Sequence, residues 1–250
     1  DVLVGIGSRL ELQYLRWVKI PDGVKVIRID IDPTEMFRVK PDVGIVTDAK
    51  LGARALVDAL SPAMTKRPSR EEEFKALKAQ FRQEIQRVQP QMGYLDVIRE
   101  VLPRDGFFVE EISQVGFTSR FGFPVYQPRT FVTGGYQDNV GFGFMTALGV
   151  KIANPDKPVV SVTGDGGFMF GVQELATAVK YNINLVTIVF NNASYGNVLR
   201  DQRNVYKGRE IGSSLTNPDF VKLAESFGAT AYLAKTPAQL KAALEKGFAA

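Results

Sequence analysis

Asp165 and Asn192 carry the oxygens around which a chemical reading of this sequence can be built. Asp165 sits in Gly164-Asp165-Gly166-Gly167, directly after the apolar run 159–162, and Asn192 closes a second apolar run, 184–190, 27 positions further on. A turn, a helix and a return strand fill an interval of that length, so the two residues fall at the ends of adjacent parallel strands and their side chains can meet. A carboxylate, an amide oxygen and a backbone carbonyl from the loop after Asn192 are hard oxygen ligands suited to Mg²⁺ or Ca²⁺. With one charged protein ligand, such a site wants further anionic oxygens. A diphosphate supplies them, and Gly166 and Gly167 let backbone N–H groups approach it closely. Either segment alone is an ordinary turn or loop; their spacing gives them weight.

Composition narrows the chemistry further. The chain has no cysteine, which removes disulfides, metal-thiolate sites and thiol nucleophiles. It also has no histidine, so catalysis must use carboxylates, amides, backbone groups or a bound cofactor. A net charge of +4 is mild and its lysines and arginines are scattered among acids, so no nucleic-acid partner is expected. The apolar stretches are strand-sized, far short of the roughly 20 residues of a bilayer span. The first residues lack the basic and apolar pattern of a secretory signal. The expectation is a cytoplasmic protein with no membrane segment.

The elements that must position Asp165 and Asn192 follow an α/β rhythm. With 250 residues and 45% hydrophobic content the chain can hold two small domains or one large one. Strands are expected at 2–5, 24–30 and 44–47, with a Gly5-Ile6-Gly7-Ser8 turn and a helix between the first two. Three strands leave a sheet with an unprotected edge, as in part of a larger domain. Residues 69–91 read as an exposed helix with Phe74, Leu77, Phe81 and Ile85 on one stripe, linking two domains. Further on, helices are expected at 94–102, 143–152, 172–181, 217–227 and 237–250. Strands are expected at 106–110, 130–133, 158–162 and 184–190. Val172, Leu175, Ala176 and Val179 should share a face, and Asn217 with Pro218 should cap the helix that follows. Parallel strands whose carboxyl ends carry Gly, Asp and Asn place a ligand at that edge of the sheet.

The segment GDGGFMFGVQELATAVKYNINLVTIVFNN resembles the signature of thiamine-diphosphate enzymes, and is similar to their acetolactate synthase branch. The resemblance implies a fold of parallel sheets flanked by helices: a thiamine-diphosphate-binding domain over 93–250, a helical linker over 66–92, and the second half of a Rossmann-like central domain over 1–65. It implies that Asp165, Asn192 and the carbonyl of Ser194 bind Mg²⁺, with Gly164, Gly166, Gly167 and Tyr195 at the cofactor. Family members often have Ser or Ala where this chain has Gly167. Upstream, GGYQDNVGFGFMTALGVKIANPDKPVV resembles the segment that holds the cofactor bent. Val140 takes the place of the apolar wedge between the two rings, and Asp138, often glycine in the family, offers its carbonyl to the pyrimidine. Gln114 and Val115 match a Gln-His pair at the diphosphate, with only a backbone contact left to position 115.

VIRIDIDPTEM and VGIVTDAK are similar to strands that contact the adenosine of FAD or ADP, which would give Arg9, Asp30 and Asp48 nucleotide contacts. The implied activity decarboxylates a 2-oxo acid, or cleaves a related donor, and passes the carbanion to an acceptor carbonyl or a proton. Arg120, Arg129 and Asp201 are candidates for the substrate side. Asp201 and Thr118 stand where acetolactate synthases carry tryptophan, which puts a branched-chain biosynthetic role in doubt. The glutamate that activates the pyrimidine belongs to a domain preceding residue 1, and Glu110, Glu111 and Glu174 read as surface or helix-start acids. Two alternatives stay open: a simple 2-oxo acid decarboxylase, and a subunit that binds cofactor and metal without turnover. Cofactor sites in the family lie between subunits, so a homodimer or homotetramer is expected.

Overall fold

A computed structural model describes residues 1–11, 19–135 and 137–249. The helix expected between the first two strands falls on residues 12–18, outside the described residues, as does Ala250 at the end of the last expected helix. The chain forms two compact units, Asp1–Arg70 and Glu71–Ala250.

The first unit is built on a parallel sheet in the order β1 (Val2–Ile6), β2 (Lys25–Asp30), β3 (Val43–Val46). Val26 and Ile29 of the central strand are buried, as expected of a strand covered on both sides. Helix α1 (Ala49–Leu60) packs on β2 so closely that a Cβ on Gly52 would lie 2.4 Å from Ile29 Cγ2. Arg28 is fully buried, donating to the carbonyls of Glu35 and Ser8.

The second unit opens with α2 (Glu71–Ile85) and α3 (Gln91–Val101), followed by β4 (Phe107–Glu110) and α4 (Gln114–Gly122). Next come β5 (Phe131–Val132), α5 (Phe142–Ala153), β6 (Val159–Gly164), α6 (Asp165–Met169), α7 (Leu175–Lys180) and β7 (Val186–Phe190). Helices α8 (Gly196–Asn204), α9 (Phe220–Ser226) and α10 (Pro237–Ala249) complete it. The sheet order is β5-β4-β6-β7 and every pairing is parallel. Alternate residues of each strand go to opposite layers. Phe108, Val160 and Val162 face Met92, Leu95 and Ile98 of α3 and Leu240 and Leu244 of α10. Val109 and Val159 face Ala147 of α5, and Phe144, Leu148, Phe168 and Leu175 extend that second layer.

Helix α2 is exposed as expected: its stripe sends only Ile85 into the core, while Phe74, Leu77 and Phe81 stay half-exposed along a cleft beside Phe121, and its residues fall in the second unit. Two other local expectations meet a different outcome. The segment before α7 opens as a 3-10 turn, Val172–Glu174. Three residues per turn bring Val172, Leu175 and Ala178 inward and leave Ala176 and Val179 outside. Helix α9 starts at Phe220 because Asp219, not Asn217, accepts from the N–H groups of Val221 and Lys222. Among the described residues no helix is long and apolar enough to cross a membrane.

Leu95 is 1% exposed between α3, the sheet and α10. Leu95→Ala should lower unfolding stability by about 2–5 kcal/mol in urea denaturation of the protein, through the lost transfer energy and the cavity left behind.

Candidate cofactor site

Strands β6 and β7 pair with Gly164 opposite Phe190, so both leave the sheet at the same level and at its carboxyl edge. A cavity of about 350 Å³ opens there. Its lining includes Gln114, Val115, Val140, Gly164, Asp165, Gly166, Gly167, Asn192, Ser194 and Tyr195. The structure thus gathers ten of the residues singled out in the sequence around one space. Asp138 does not line it.

Asp165 begins the short helix α6 and is 2% exposed. Its Oδ1 accepts from the Gly166 N–H at 2.9 Å, and its Oδ2 accepts from Asn217 Nδ2 at 2.7 Å. The Gly166 N–H, expected to be open to a diphosphate, is therefore engaged by its neighbour. Asn217 Nδ2 also donates to Asn191 Oδ1 at 2.9 Å, tying the ends of β6 and β7 together. Among the described residues no lysine or arginine forms an ion pair with Asp165. A buried carboxylate held by amides alone is suited to a cation, because burial without an opposite charge is costly. No group of three or more acidic, His or Cys residues placed to hold a metal ion exists among the described residues, so other ligands would have to come from amides, carbonyls and the bound molecule.

Asn192 Oδ1 accepts from Ser194 N–H at 3.2 Å and from Ser194 Oγ at 3.1 Å, making a tight turn at the cavity rim. Ser194 pairs with Ser214 in an isolated antiparallel bridge, and the Tyr195 N–H donates to the Ser213 carbonyl at 2.8 Å. The Tyr195 ring occupies the place of a side chain on Gly166: a Cβ there would lie 2.4 Å from Tyr195 Cε1. Gln114, in the first turn of α4 behind the Ser113 cap, donates through Nε2 to Asn197 Oδ1 at 2.7 Å. Val115 is buried in the core and also lines the cavity. Val140 is 42% exposed, an apolar side chain facing that space.

Two acids read from the sequence as surface or helix-start groups are buried: Glu110 is 0% and Glu111 1% exposed. The sheet explains it, since both follow Phe107-Phe108-Val109 at the carboxyl end of an interior strand. Glu110 Oε1 accepts from Arg120 Nε at 3.0 Å and Nη2 at 2.8 Å, and from the Thr133 hydroxyl. Arg120 also grips Asp138, donating through Nη1 at 2.8 Å and through Nη2. Burial works against the charged Arg120, but its bonds to Asp138 and Glu110 outweigh that and hold its pKa above the ordinary arginine value. Burial pushes the Glu110 carboxyl up, opposed by Thr133 and Arg120. Glu174 does stand at a helix start, accepting from the Thr177 hydroxyl.

Arg120 is therefore committed within the protein, Arg129 is exposed on a loop, and Asp201 pairs with Arg200 at 3.2 Å. None of these three lines the cavity. Thr118 donates to the Gln114 carbonyl within α4 and does not line it either. In the first unit Asp48 caps α1, Asp30 accepts from the Asp32 N–H, and Arg9 pairs with Glu35 at 3.4 Å. Asn217, Asn197 and Glu111 were not singled out as site residues. Asn217 was hidden by its Asn-Pro pattern, which competes with Asp219 two residues later for the cap. Glu111 had a signal in an acid pair directly after an apolar strand.

The family of thiamine pyrophosphate enzymes, through its C-terminal TPP binding domain, matches residues 111–250, and the chain belongs to that family. It is 32% identical over 270 residues to a probable acetolactate synthase large subunit of Methanococcus aeolicus, covering 99% of this chain and 45% of that protein. A glyoxylate carboligase of Escherichia coli O157:H7 is 30% identical, covering 100% of this chain and 45% of its own length. The chain thus spans a little under half of the curated relatives it matches. Among solved structures, a thiamine diphosphate-dependent 4-hydroxybenzoylformate decarboxylase of Rhodococcus jostii RHA1 superposes with a TM-score of 0.76 at 20% identity, covering 100% of this chain and 47% of that one. At that identity the likeness speaks for the fold: parallel sheets flanked by helices.

The raised Glu110 value makes stability depend on pH. Because the folded state holds this proton more tightly than the unfolded chain, the contribution is full below the ordinary glutamate value of 4.5 and is lost as pH rises through the raised folded value. Urea midpoints of the wild type should fall with rising pH across that window more steeply than those of Glu110→Gln.

Proposed function

We propose that the protein is a thiamine-diphosphate- and Mg²⁺-dependent enzyme of the acetolactate synthase-like group, acting on a 2-oxo acid and delivering its product fragment to an acceptor carbonyl or a proton. The observation that carries this reading is Asp165: a buried acid with no cationic partner among the described residues, at a cavity it shares with Asn192 and Ser194. In the proposal Asp165, Asn192 Oδ1 and the Ser194 carbonyl would hold Mg²⁺, and Gly164, Gly166 and Gly167 would lie beside the cofactor's diphosphate. Bound there, thiamine diphosphate supplies the electron sink, and the protein supplies binding and orientation.

The chain's own residues divide the work. Tyr195 against Gly166, and Gln114 on Asn197, keep the rim of the cavity in place. Val140 presents the apolar surface proposed to press between the cofactor rings, and Val115 offers backbone only. The Arg120 clamp fixes Asp138, whose carbonyl is proposed to face the pyrimidine amino group. The activating glutamate is assigned to a part of the protein outside this chain.

The same proposal covers the broader organisation. Residues 1–65 would be the second half of a Rossmann-like central domain, joined through 66–92 to the diphosphate-binding domain at 93–250. FAD or ADP is proposed for the first unit because Asp30 and Asp48 lie just at the carboxyl ends of its parallel strands, where such sheets bind ligands. A homo-oligomer and a cytoplasmic location belong to the same reading.

Calorimetric titration of the full-length protein with thiamine diphosphate tests the site. Mg²⁺ should raise the affinity at least about tenfold, and Asp165→Ala should abolish that gain. Equal affinity with and without Mg²⁺ overturns the reading. Product analysis with pyruvate, alone and with an acceptor aldehyde, then separates ligation from plain decarboxylation.

A further inference from the structure

Glu111 is a buried acid with no role in the site as described so far. It does not line the cavity, yet its carboxylate reaches both segments that do. Oε1 accepts from the Gly141 N–H at 2.6 Å, and Oε2 accepts from the Gly143 N–H at 2.9 Å and from the Thr163 hydroxyl at 2.7 Å. The first two donors flank the start of α5, directly after Val140; the third is the penultimate residue of β6, two before Asp165. Each carboxylate oxygen thus takes an N–H from the Val140 loop, and one of them also takes the strand that carries Asp165. The amides at the opening of a 12-residue helix favour a negative partner, which is why this acid is held without a lysine or arginine among the described residues.

The glycines around it show how tightly the acid is seated. A Cβ on Gly167 would lie 1.9 Å from Glu111 Oε1 and 2.7 Å from its Cδ. A Cβ on Gly143 would lie 2.8 Å from Oε2 and 2.9 Å from the Glu111 Cβ. Neither clash involves a freely swinging side-chain end, because the carboxylate is fixed by three hydrogen bonds. The carboxylate of Glu111 fills the volume that a side chain at 167 would need.

We propose that Glu111 is a positioning residue: it braces the Val140 loop against the Gly164–Gly167 turn, and Gly167 is glycine in this chain because that brace occupies its side-chain space. The first half deepens the proposed cofactor site and rests on that reading; the second half is a packing statement that stands without it. Aspartate at 111 is one methylene shorter and withdraws the carboxylate from Gly167. Alanine at 167 should therefore be harmful beside glutamate and tolerated beside aspartate.

The test uses the full-length protein as wild type, Glu111→Gln, Glu111→Asp, Gly167→Ala and the Glu111→Asp/Gly167→Ala double variant. Urea midpoints without cofactor read the packing. Gly167→Ala should lower the midpoint, or fail to yield folded protein, while the double variant should match Glu111→Asp alone. Additive effects, or a double variant that is no better than Gly167→Ala, overturn the pairing. Calorimetry with two ligands, each with Mg²⁺, reads the positioning role. Inorganic pyrophosphate engages only the Asp165 end, whereas thiamine diphosphate carries a ring system that must also meet Val140. Glu111→Gln should weaken thiamine diphosphate by about tenfold, the scale of one lost hydrogen bond to a buried charged group, and leave pyrophosphate within about twofold. Equal losses for both ligands mark a merely structural residue and overturn the brace. A wild type that binds neither ligand defeats the proposed cofactor site, while the urea midpoints still decide the pairing.

Discussion

The pairing of β6 with β7 in parallel register is the constraint on which the rest of the second unit depends. Five backbone pairs, from Val160 with Val186 to Gly164 with Phe190, oblige the two strands to end together. Asp165 and Asn191-Asn192 are the next residues out, so no freedom remains over whether they share a space. Slipping the register by one residue would reverse the faces of β7, taking Ile188 out of the α3–α10 layer. Burial of that layer therefore holds the register, and the register holds the cavity. Asn217, donating to Asp165 and Asn191 at once, adds a side-chain tie exactly where the ladder stops providing backbone ones.

Among the described residues three acids lie buried at the carboxyl edge of this sheet, and they are held in three different ways, Glu110 through one oxygen only. Glu110 has an arginine; Glu111 has helix-start amides and a hydroxyl; Asp165 has a single neighbouring amide and an asparagine. Only the last both faces the cavity and lacks a guanidinium or a set of three donors. Of these buried acids, only Asp165 is thus left to the proposed cation site. The other two serve to fix the backbone around it.

Much of this was legible in the sequence. The alternation of apolar runs and helical segments gave the α/β class, and the interval between Asp165 and Asn192 gave their adjacency, because strand, crossover and strand have nearly fixed lengths. The residues around the cavity were found by their likeness to a family whose membership the chain shares. What the sequence hid were partners chosen in three dimensions. Arg120 looked available to a substrate because its two carboxylates, Glu110 and Asp138, are ten and eighteen positions away in opposite directions. Glu111 looked like half of a surface pair because period and polarity alone do not reveal that an interior strand carries two acids at its end. Helix phase failed at Val179 for a local reason, the tighter 3-10 opening that no composition signal announces.

Asp138 shows how a departure from a family pattern can be absorbed. Its φ is +51°, in the left-handed region where glycine is favoured and where an aspartate is strained by about 1–2 kcal/mol. The loop nevertheless keeps this conformation, because the Arg120 guanidinium grips both oxygens of the carboxylate while bonded to the buried Glu110. Charge-assisted, two-pronged contacts of that kind are among the stronger hydrogen bonds a protein makes. They offset the strain and leave the loop less freedom than glycine would. The chain thus holds a positive-φ backbone at this position by clamping the side chain it carries there. The stretch leading to Val140 is accordingly held from two directions, through Asp138 by Arg120 and through Gly141 and Gly143 by Glu111.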